Sequence, residues 1–213
     1  VKGALTGIFY NKGEVCAAGS RLFLEEKVHD EFMSKLTERV KGLKVGDPMD
    51  KSTRMGPVVS KHQMETVLSY IESGKKEGAR LVAGGGRANI GTGKGFFIEP
   101  TIFDGVSNQM KIAREEIFGP VLSVIPFKSL EDGIAEGNAT TYGLAAAVWT
   151  RDVAKALKAA RAIRAGTVWV NAYNLFDAAL PFGGFKESGF GREMGSVGLD
   201  HYTEVKSVWV DLT

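Results

Sequence analysis

The sequence has almost no cysteine, and this scarcity limits the chemistry open to it. Cys16 is the single thiol among 213 residues. One thiol cannot close an internal disulfide, and the histidines lack the spacing of a metal-ligand set at His29, His62 and His201. We therefore expect no disulfide framework and no bound metal. A free thiol also fits a reducing compartment, which we take to be the cytoplasm.

Long apolar runs and an excess of one charge are also missing. No run approaches the roughly 18 apolar residues that a membrane helix needs, and we find no secretory leader. Lys and Arg total 27, Asp and Glu total 25, and the two signs are interspersed along the chain. This pattern is unlike the basic surface of a nucleic-acid-binding protein. The composition predicts one large globular domain with no membrane or nucleic-acid partner.

Segments with strand and helix patterns alternate along the chain. The β–α–β order predicts an α/β fold, a three-layer domain with a mainly parallel twisted sheet and helices on both faces. Strands are predicted over residues 21–24, 81–83, 97–103, 121–127, 144–150 and 167–170. Helices are predicted over 28–43, after an N-cap at Ser60, over 130–136, and from an N-cap at Asp152 to Gly166.

Two features suggest departures from a regular sheet. Pro100 lies inside the extended segment 97–103, where the lack of an N–H favours an edge or irregular position. Residues 203–212 carry apolar side chains that predict a strand at the end of the chain. We therefore divide the sequence into a domain over residues 1–201 and a terminal strand over 202–213.

The surroundings of Cys16 point away from the commonest state of a free cysteine. Free cysteines are usually buried and unreactive. Here Phe9, Asn11, Gly13 and Cys16 form the pattern Phe-x-Asn-x-Gly-x-x-Cys, which runs into Gly-Ser-Arg before an apolar strand. The second motif, over residues 115–120, reads Glu-Glu-Ile-Phe-Gly-Pro. The third motif reads Gly-Thr-Val-Trp-Val-Asn over residues 166–171, then Pro-Phe-Gly-Gly-Phe-Lys-Glu-Ser-Gly-Phe-Gly-Arg-Glu over 181–193, and then Tyr-Thr-Glu-Val-Lys over 202–206.

These motifs, in this order, resemble the NAD(P)-dependent aldehyde dehydrogenase superfamily, and together they span essentially the whole chain. The resemblance is to the C-terminal catalytic domain. It implies that Cys16 is the nucleophile, whose thiolate adds to an aldehyde to give a thiohemiacetal and then a thioester that water hydrolyses to the acid. It also implies that the backbone N–H of Cys16 stabilises the oxyanion.

The resemblance assigns further residues to the cofactor, NAD or NADP. Glu116 matches a glutamate that accepts hydrogen bonds from the nicotinamide ribose, and Phe118 would pack beside the nicotinamide. From the residues alone, Glu116 fits equally a solvated acid or an ion-pair partner of Arg114, and Phe118 fits a core residue. Glu115 is expected to be structural.

The aldehyde site implied by the resemblance is apolar. Phe176 and Phe182 match positions that line the aldehyde tunnel, and Val15, Ala17 and Trp169 are weaker candidates. Each aromatic residue fits a plain core position almost as well. Asn11 is expected to shape the loop rather than to do chemistry, and Glu14 is expected at the surface or as an electrostatic neighbour of the thiol.

The resemblance also identifies parts that lie upstream of Val1 in the family: the general-base glutamate, the oxyanion-hole asparagine and the Rossmann-type cofactor domain. We therefore expect the isolated chain to be inactive as a dehydrogenase. It implies a homo-oligomer, a dimer or tetramer, joined through the terminal strand. Two other hypotheses stay open, a cofactor-independent thiol esterase and a non-catalytic assembly module.

Overall fold

The computed structural model describes residues 1–91 and 93–213. The helices are α1 (Lys2–Phe9), α2 (Glu26–Lys41), α3 (Lys61–Lys76), α4 (Lys111–Arg114), α5 (Leu130–Asn138) and α6 (Val153–Ala162). The strands are β1 (Arg21–Glu25), β2 (Arg80–Ala83), β3 (Thr101–Asp104), β4 (Val121–Phe127), β5 (Ala145–Val148) and β6 (Thr167–Val170). Short 3₁₀ segments follow at Tyr10–Gly13, Lys186–Ser188 and Ser196–Tyr202.

The strands form two sheets, where the sequence pattern predicted one. The larger sheet has the order β1-β4-β3-β2, and the smaller one pairs β5 with β6. The pairs β1·β4, β3·β4 and β5·β6 are parallel, and only β2·β3 is antiparallel. The prediction of a mainly parallel sheet is therefore confirmed, although its strands are divided between two ladders.

Helices cover both faces of the larger sheet, and strand β4 shows why. Side chains on a strand point alternately to opposite faces. Val121 and Ile125 pack in one core cluster with α3 residues Val67 and Ile71. Leu122 and Val124 pack on the opposite face, in a cluster with α2 residues Met33, Leu36 and Val40. A strand buried on both faces is a continuous apolar run, and this is the pattern that identified it.

Both predicted N-caps are confirmed, helix α2 lies two residues earlier than the predicted 28–43, and the predicted end of α6 is wrong. The Ser60 side chain accepts from the N–H of Gln63, and Asp152 accepts from Ala154 and Lys155. Helix α6 stops at Ala162 and does not continue to Gly166. Gly166 instead lies against the chain at Gly183, whose carbonyl oxygen would be 1.6 Å from a Cβ placed on Gly166. A glycine is needed at position 166 because the two backbone segments pack closely there, and it does not mark the end of the helix.

Two predicted strands differ from expectation. The extended segment 97–103 becomes a strand only at Thr101, after Pro100, so the proline precedes an interior ladder and removes no bond from it. The terminal strand predicted over 203–212 is absent from this chain. Residues 203–213 have no assigned secondary structure and are exposed. A strand exists only with a partner for its backbone groups, and no described segment of this chain supplies one.

A buried carboxylate fastens helix α2 to the antiparallel edge of the sheet. The Asp104 side chain is 1% exposed and forms an ion pair with Arg80, its cross-strand neighbour. Its Oδ1 lies 2.9 Å from His29 Nε2, and His29 Nδ1 lies 2.9 Å from Asp30. Hydrogen bonds to Asp30 and then to Asp104 raise the pKa of His29 above its ordinary value. His29 is thus a structural residue of the α2–β3 contact.

We expect this contact to make stability depend on pH. Because the folded pKa of His29 is raised, its contribution is complete below the unfolded pKa of about 6.5 and is lost as pH rises through the folded value. His29→Gln should therefore lower the free energy of unfolding more at pH 5.5 than at pH 9, measured by urea denaturation. His62→Gln, on the exposed start of α3, is the control. An equal loss at both pH values would contradict the assignment.

Candidate active site

Cys16 lies at the tip of a tight turn on the protein surface. The N–H of Ala18 donates to the carbonyl of Val15 at 2.9 Å, which closes the turn around Cys16. The chain enters it from α1 through left-handed residues, with φ of 46° at Asn11, 52° at Lys12 and 75° at Gly13. The Cys16 residue is exposed. Cys16 is therefore not in the buried position that is commonest for a free cysteine.

The orientation of the Val15–Cys16 peptide follows from that turn. In a trans peptide the C=O and N–H point in opposite directions. Because the Val15 carbonyl points into the turn toward Ala18, the Cys16 N–H points out of it. Within the described part of the chain, no group accepts a hydrogen bond from this N–H. Cys16 therefore presents a thiol and an open backbone donor together, which is the pair that an acyl-transfer oxyanion needs.

Glu14 anchors the entrance to the turn, and its predicted surface position is wrong. Its side chain is only 7% exposed and pairs with Lys12 at 3.3 Å. Glu14 Oε1 also accepts from the N–H of Val59 at 3.0 Å, and Asn11 Nδ2 donates to the Glu14 carbonyl at 2.9 Å. Asn11 shapes the loop as the sequence indicated. A buried, paired carboxylate was not visible in the sequence because Val59 is distant along the chain.

The second motif packs directly against this loop. A Cβ placed on Gly13 would lie 2.1 Å from the carbonyl oxygen of Gly119. The adjoining backbone is fixed by Gln63, whose Nε2 donates to the carbonyls of Ile117 at 3.1 Å and Phe118 at 2.8 Å. Phe118 adopts φ of 53° and remains 40% exposed. The motifs around Cys16 and Glu116 are therefore neighbours in space.

Glu115 and Glu116 of the second motif have different surroundings. Glu115 accepts from the Tyr70 hydroxyl at 2.8 Å, as expected for a structural residue. Glu116 is exposed. It forms no ion pair with Arg114 and no hydrogen bond to any residue that the structure describes. Its carboxylate is thus open to accept from hydroxyl groups of a ligand, and the exposed Phe118 ring lies two residues away.

An aromatic cluster from the third motif supports the other side of the turn. Rings follow one another from Tyr173 to Trp169 (4.9 Å between centroids), to Phe176 (5.6 Å) and to Phe182 (5.3 Å). Phe176 is 54% exposed and Phe182 is partly buried, so both can face a ligand. Trp169 is 7% exposed, and its Nε1 donates to the Leu175 carbonyl, which makes it a core residue.

Tyr173 joins the cluster to the turn, a role that no sequence motif indicated. Its hydroxyl donates to the Ala17 carbonyl at 2.8 Å, across 156 positions of the chain. Burial raises the pKa of Tyr173 far above its ordinary value, so the hydroxyl remains a donor. Ala17 is 4% exposed and Val15 partly buried, so Ala17 packs beneath the turn. Only the pattern of aromatic residues in 169–182 signalled this contact.

The charged residues of the third motif hold backbone in place. Lys186 Nζ donates to the carbonyls of Asn138 at 2.8 Å and Thr140 at 2.9 Å, at the end of α5. Arg192 donates to the carbonyls of Gly184 and Gly191 and stacks over Phe185 at 5.2 Å. The long motif from Pro181 onward is therefore mainly a packing element around glycines.

Other kinds of site find little support. Among residues 1–91 and 93–213, no group of three or more His, Cys, Asp or Glu side chains could hold a metal ion. The same residues contain no helix that is both long and apolar enough to cross a membrane. A cavity of about 620 Å³ lies beside Trp149 and Asn171, and another of about 570 Å³ beside Leu43 and Leu81. Cys16 lines neither of these two cavities, and its side chain is exposed.

An α/β domain that presents a thiol and an open N–H together on a tight turn has the geometry of a candidate nucleophile site. Residues 1–208 match the aldehyde dehydrogenase family. The chain belongs to that family. It is 52% identical over 206 residues to aldehyde dehydrogenase 1A1 of Gallus gallus, covering 97% of this chain and 40% of that protein. It is 49% identical over 212 residues to betaine aldehyde dehydrogenase of Sinorhizobium fredii, covering 100% and 44%.

Solved structures share the fold. The aldehyde dehydrogenase of Bacillus cereus, in a complex with NAD⁺, superposes with a TM-score of 0.95 at 52% identity. That comparison covers 100% of this chain and 43% of the Bacillus cereus chain. The present chain thus spans less than half the length of the relatives that it matches.

The close contact between Gly13 and Gly119 predicts that alanine destabilises the protein more at Gly13 than at Gly78. Gly13→Ala should lower the free energy of unfolding by about 3 kcal/mol, because a left-handed alanine costs roughly 1–2 kcal/mol and overpacking about as much again. Gly78→Ala is the matched control, with φ of 88° and nothing within 4 Å of the added Cβ. It should lose only about 1 kcal/mol. Equal losses in chemical denaturation would show that the Gly13–Gly119 contact carries no energy.

Proposed function

We propose that the protein containing this chain oxidises an aldehyde to a carboxylic acid with NAD(P)⁺, using Cys16 as the nucleophile. The observation that carries the proposal is the Cys16 turn, which combines an exposed thiol with an N–H that no described residue accepts from. A buried thiol, or a turn with this N–H already bonded, would not fit. Family membership supports the same reaction class.

The residues of this chain account for the carbon chemistry. The Cys16 thiolate adds to the carbonyl carbon, a C–S bond forms, and the C=O π electrons move to oxygen. The outward N–H of Cys16 donates to that oxyanion. A bound nicotinamide supplies the acceptor for the hydride that leaves the carbon with its electron pair, which yields a thioester. Water then cleaves the C–S bond, releasing the acid and returning the thiol.

The cofactor contacts proposed for this chain are Glu116 and Phe118. The exposed, unpaired carboxylate of Glu116 fits a ribose with two hydroxyl donors, and the exposed Phe118 ring fits the face of a nicotinamide. These two residues cannot enclose a dinucleotide by themselves. We propose that most of the cofactor site, like the general base, is supplied by residues outside this chain, and that the choice of NAD or NADP is made there.

The proposed aldehyde site is lined by Phe176 and Phe182, with Val15 and Ala17 beside the thiol. Apolar walls exclude water from the thiohemiacetal and favour an aldehyde with an apolar body. The structure assigns no particular aldehyde. Relatives of near-equal identity carry the names betaine aldehyde dehydrogenase and indole-3-acetaldehyde dehydrogenase. A reducing compartment such as the cytoplasm suits an exposed thiol nucleophile.

The test is NADH formation from a simple aldehyde by the full-length protein. Cys16→Ser should lower the rate by at least about 10³-fold, as loss of a nucleophile does elsewhere. Met49→Ser changes an 87% exposed side chain and should leave the rate unaltered. The 213-residue chain alone should form no NADH. Ester hydrolysis by Cys16 that proceeds without any nicotinamide-dependent activity would establish a thiol esterase instead.

We also propose that residues 203–212 complete a sheet in a second copy of the protein. The segment is apolar and unpaired in this chain, with Val205, Val208, Trp209, Val210 and Leu212 between 73% and 103% exposed. Strand β6 pairs only with β5, so one of its edges carries open N–H and C=O groups. An exposed apolar strand and an open edge both favour pairing between subunits.

Val208→Lys in the full-length protein should therefore weaken assembly. Loss of one buried valine is worth about 1.5–3 kcal/mol, which raises the dissociation constant at least about tenfold. Asp211→Lys adds a lysine to the same segment without removing an apolar side chain and serves as the control. Masses from light scattering over a dilution series measure the change. A monomeric wild-type protein, or unchanged dissociation of Val208→Lys, would contradict the proposal.

A further inference from the structure

We propose that Tyr173 is a positioning residue whose hydroxyl begins a hydrogen-bonded chain that ends at the Cys16 N–H. Tyr173 does not belong to the reacting groups. It acts through the Cys16 turn, by orienting and polarising the donor that receives the oxyanion. The inference rests on the proposed function and deepens it, since it names what holds the oxyanion donor in place.

The hydrogen-bonded series between Tyr173 and Cys16 passes through two peptide groups. The Tyr173 hydroxyl donates to the Ala17 carbonyl at 2.8 Å. That carbonyl shares a peptide with the Ala18 N–H, which donates to the Val15 carbonyl at 2.9 Å. The Val15 carbonyl in turn shares a peptide with the Cys16 N–H. Each peptide points its carbonyl back toward Tyr173 and its N–H forward, because C=O and N–H are antiparallel in a trans peptide.

The far end of this hydrogen-bonded series is the Cys16 N–H, which is open. The structure records no acceptor for the Cys16 N–H among the described residues. Hydrogen bonds in series polarise one another, so a donor at the Ala17 carbonyl strengthens donation at Cys16. The hydrogen bond from the Tyr173 hydroxyl also restrains rotation of the Ala17–Ala18 peptide. Such a rotation would break the hydrogen bond from the Ala18 N–H to the Val15 carbonyl. Both effects favour a negative oxygen beside Cys16.

The Tyr173 ring is fixed well enough to do this. It stacks on Trp149 with ring centroids 6.1 Å apart and planes at 7°, and packs on Trp169 at 4.9 Å. Two glycines lie beside it. A Cβ on Gly7 would lie 3.5 Å from ring atom Cε2, and a Cβ on Gly19 would lie 3.0 Å from the hydroxyl oxygen. Gly7 and Gly19 are also bonded to each other, from the Gly19 N–H to the Gly7 carbonyl at 2.8 Å.

These contacts provide graded variants. Tyr173→Phe removes the hydroxyl and keeps the ring. Gly19→Ala adds a methyl 3.0 Å from the hydroxyl oxygen, so the hydroxyl must shift by a few tenths of an ångström, whereas Gly7→Ala adds one at the ordinary contact distance of 3.5 Å from the ring. Tyr142→Phe removes a hydroxyl from a residue that is 40% exposed and that belongs to neither the turn nor the aromatic cluster.

The experiment compares two reactions of Cys16 in the full-length protein. Single-turnover NADH formation passes through an oxyanion at the carbonyl. Alkylation by iodoacetamide displaces iodide at a saturated carbon and develops no oxyanion. Tyr173→Phe should slow NADH formation about fivefold to tenfold, the effect of losing one neutral hydrogen bond. The aldehyde concentration at half-maximal rate and the alkylation rate should both stay within about twofold.

Gly19→Ala should reproduce the slower NADH formation, while Gly7→Ala and Tyr142→Phe should match the wild type. Unchanged NADH formation in Tyr173→Phe would overturn the inference. A parallel fall in alkylation would also overturn it, because the hydroxyl would then act by ordering the whole loop. A wild-type protein that forms no NADH would contradict the proposed function and, with it, this inference. An active wild-type protein with unchanged NADH formation in Tyr173→Phe would contradict only the inference.

Discussion

The candidate site depends on the backbone of the Cys16 loop being held from three directions. Gly13 lies against the carbonyl of Gly119, the buried Glu14 carboxylate binds the N–H of Val59, and the Tyr173 hydroxyl binds the carbonyl of Ala17. A turn entered through three left-handed residues is costly to form, since that region disfavours side chains with a Cβ. The surrounding contacts offset this cost. They leave the Cys16 thiol and N–H exposed on a rigid support, which suits a nucleophile better than a mobile loop.

The two layers of helix provide that support. The Cys16 loop follows α1 and leads directly into β1, which pairs with β4 in the centre of the larger sheet. Because β4 is buried on both faces, its position is fixed by α2 on one side and α3 on the other. The segment around Glu116 and Phe118 leads into β4. The thiol and the proposed cofactor contacts are therefore carried by adjacent, well-packed strands, so their relative position is set by the core.

The apparent functional motifs contain residues of two kinds. Cys16, Glu116 and Phe118 expose a thiol, a carboxylate and an aromatic ring. Lys186 and Arg192 lie in an equally long motif, yet they bond carbonyl oxygens of their own chain. Charge alone does not separate these cases, because lysine and arginine serve as well for backbone carbonyls as for ligands. What separates them is whether a partner within the fold is already in reach.

The sequence by itself determined the alternation of strands and helices, the helix starts at Ser60 and Asp152, and the choice of Cys16 as the candidate nucleophile. Periodicity, N-caps and short motifs are properties of a few neighbouring residues, so they can be read locally. The tertiary structure alone decided that Glu14 is buried, that Tyr173 holds a carbonyl 156 positions away, and that the strands divide into two sheets. It also left the terminal segment unpaired, because a strand is defined by its partner. These outcomes depend on contacts between distant residues, which a local pattern does not contain.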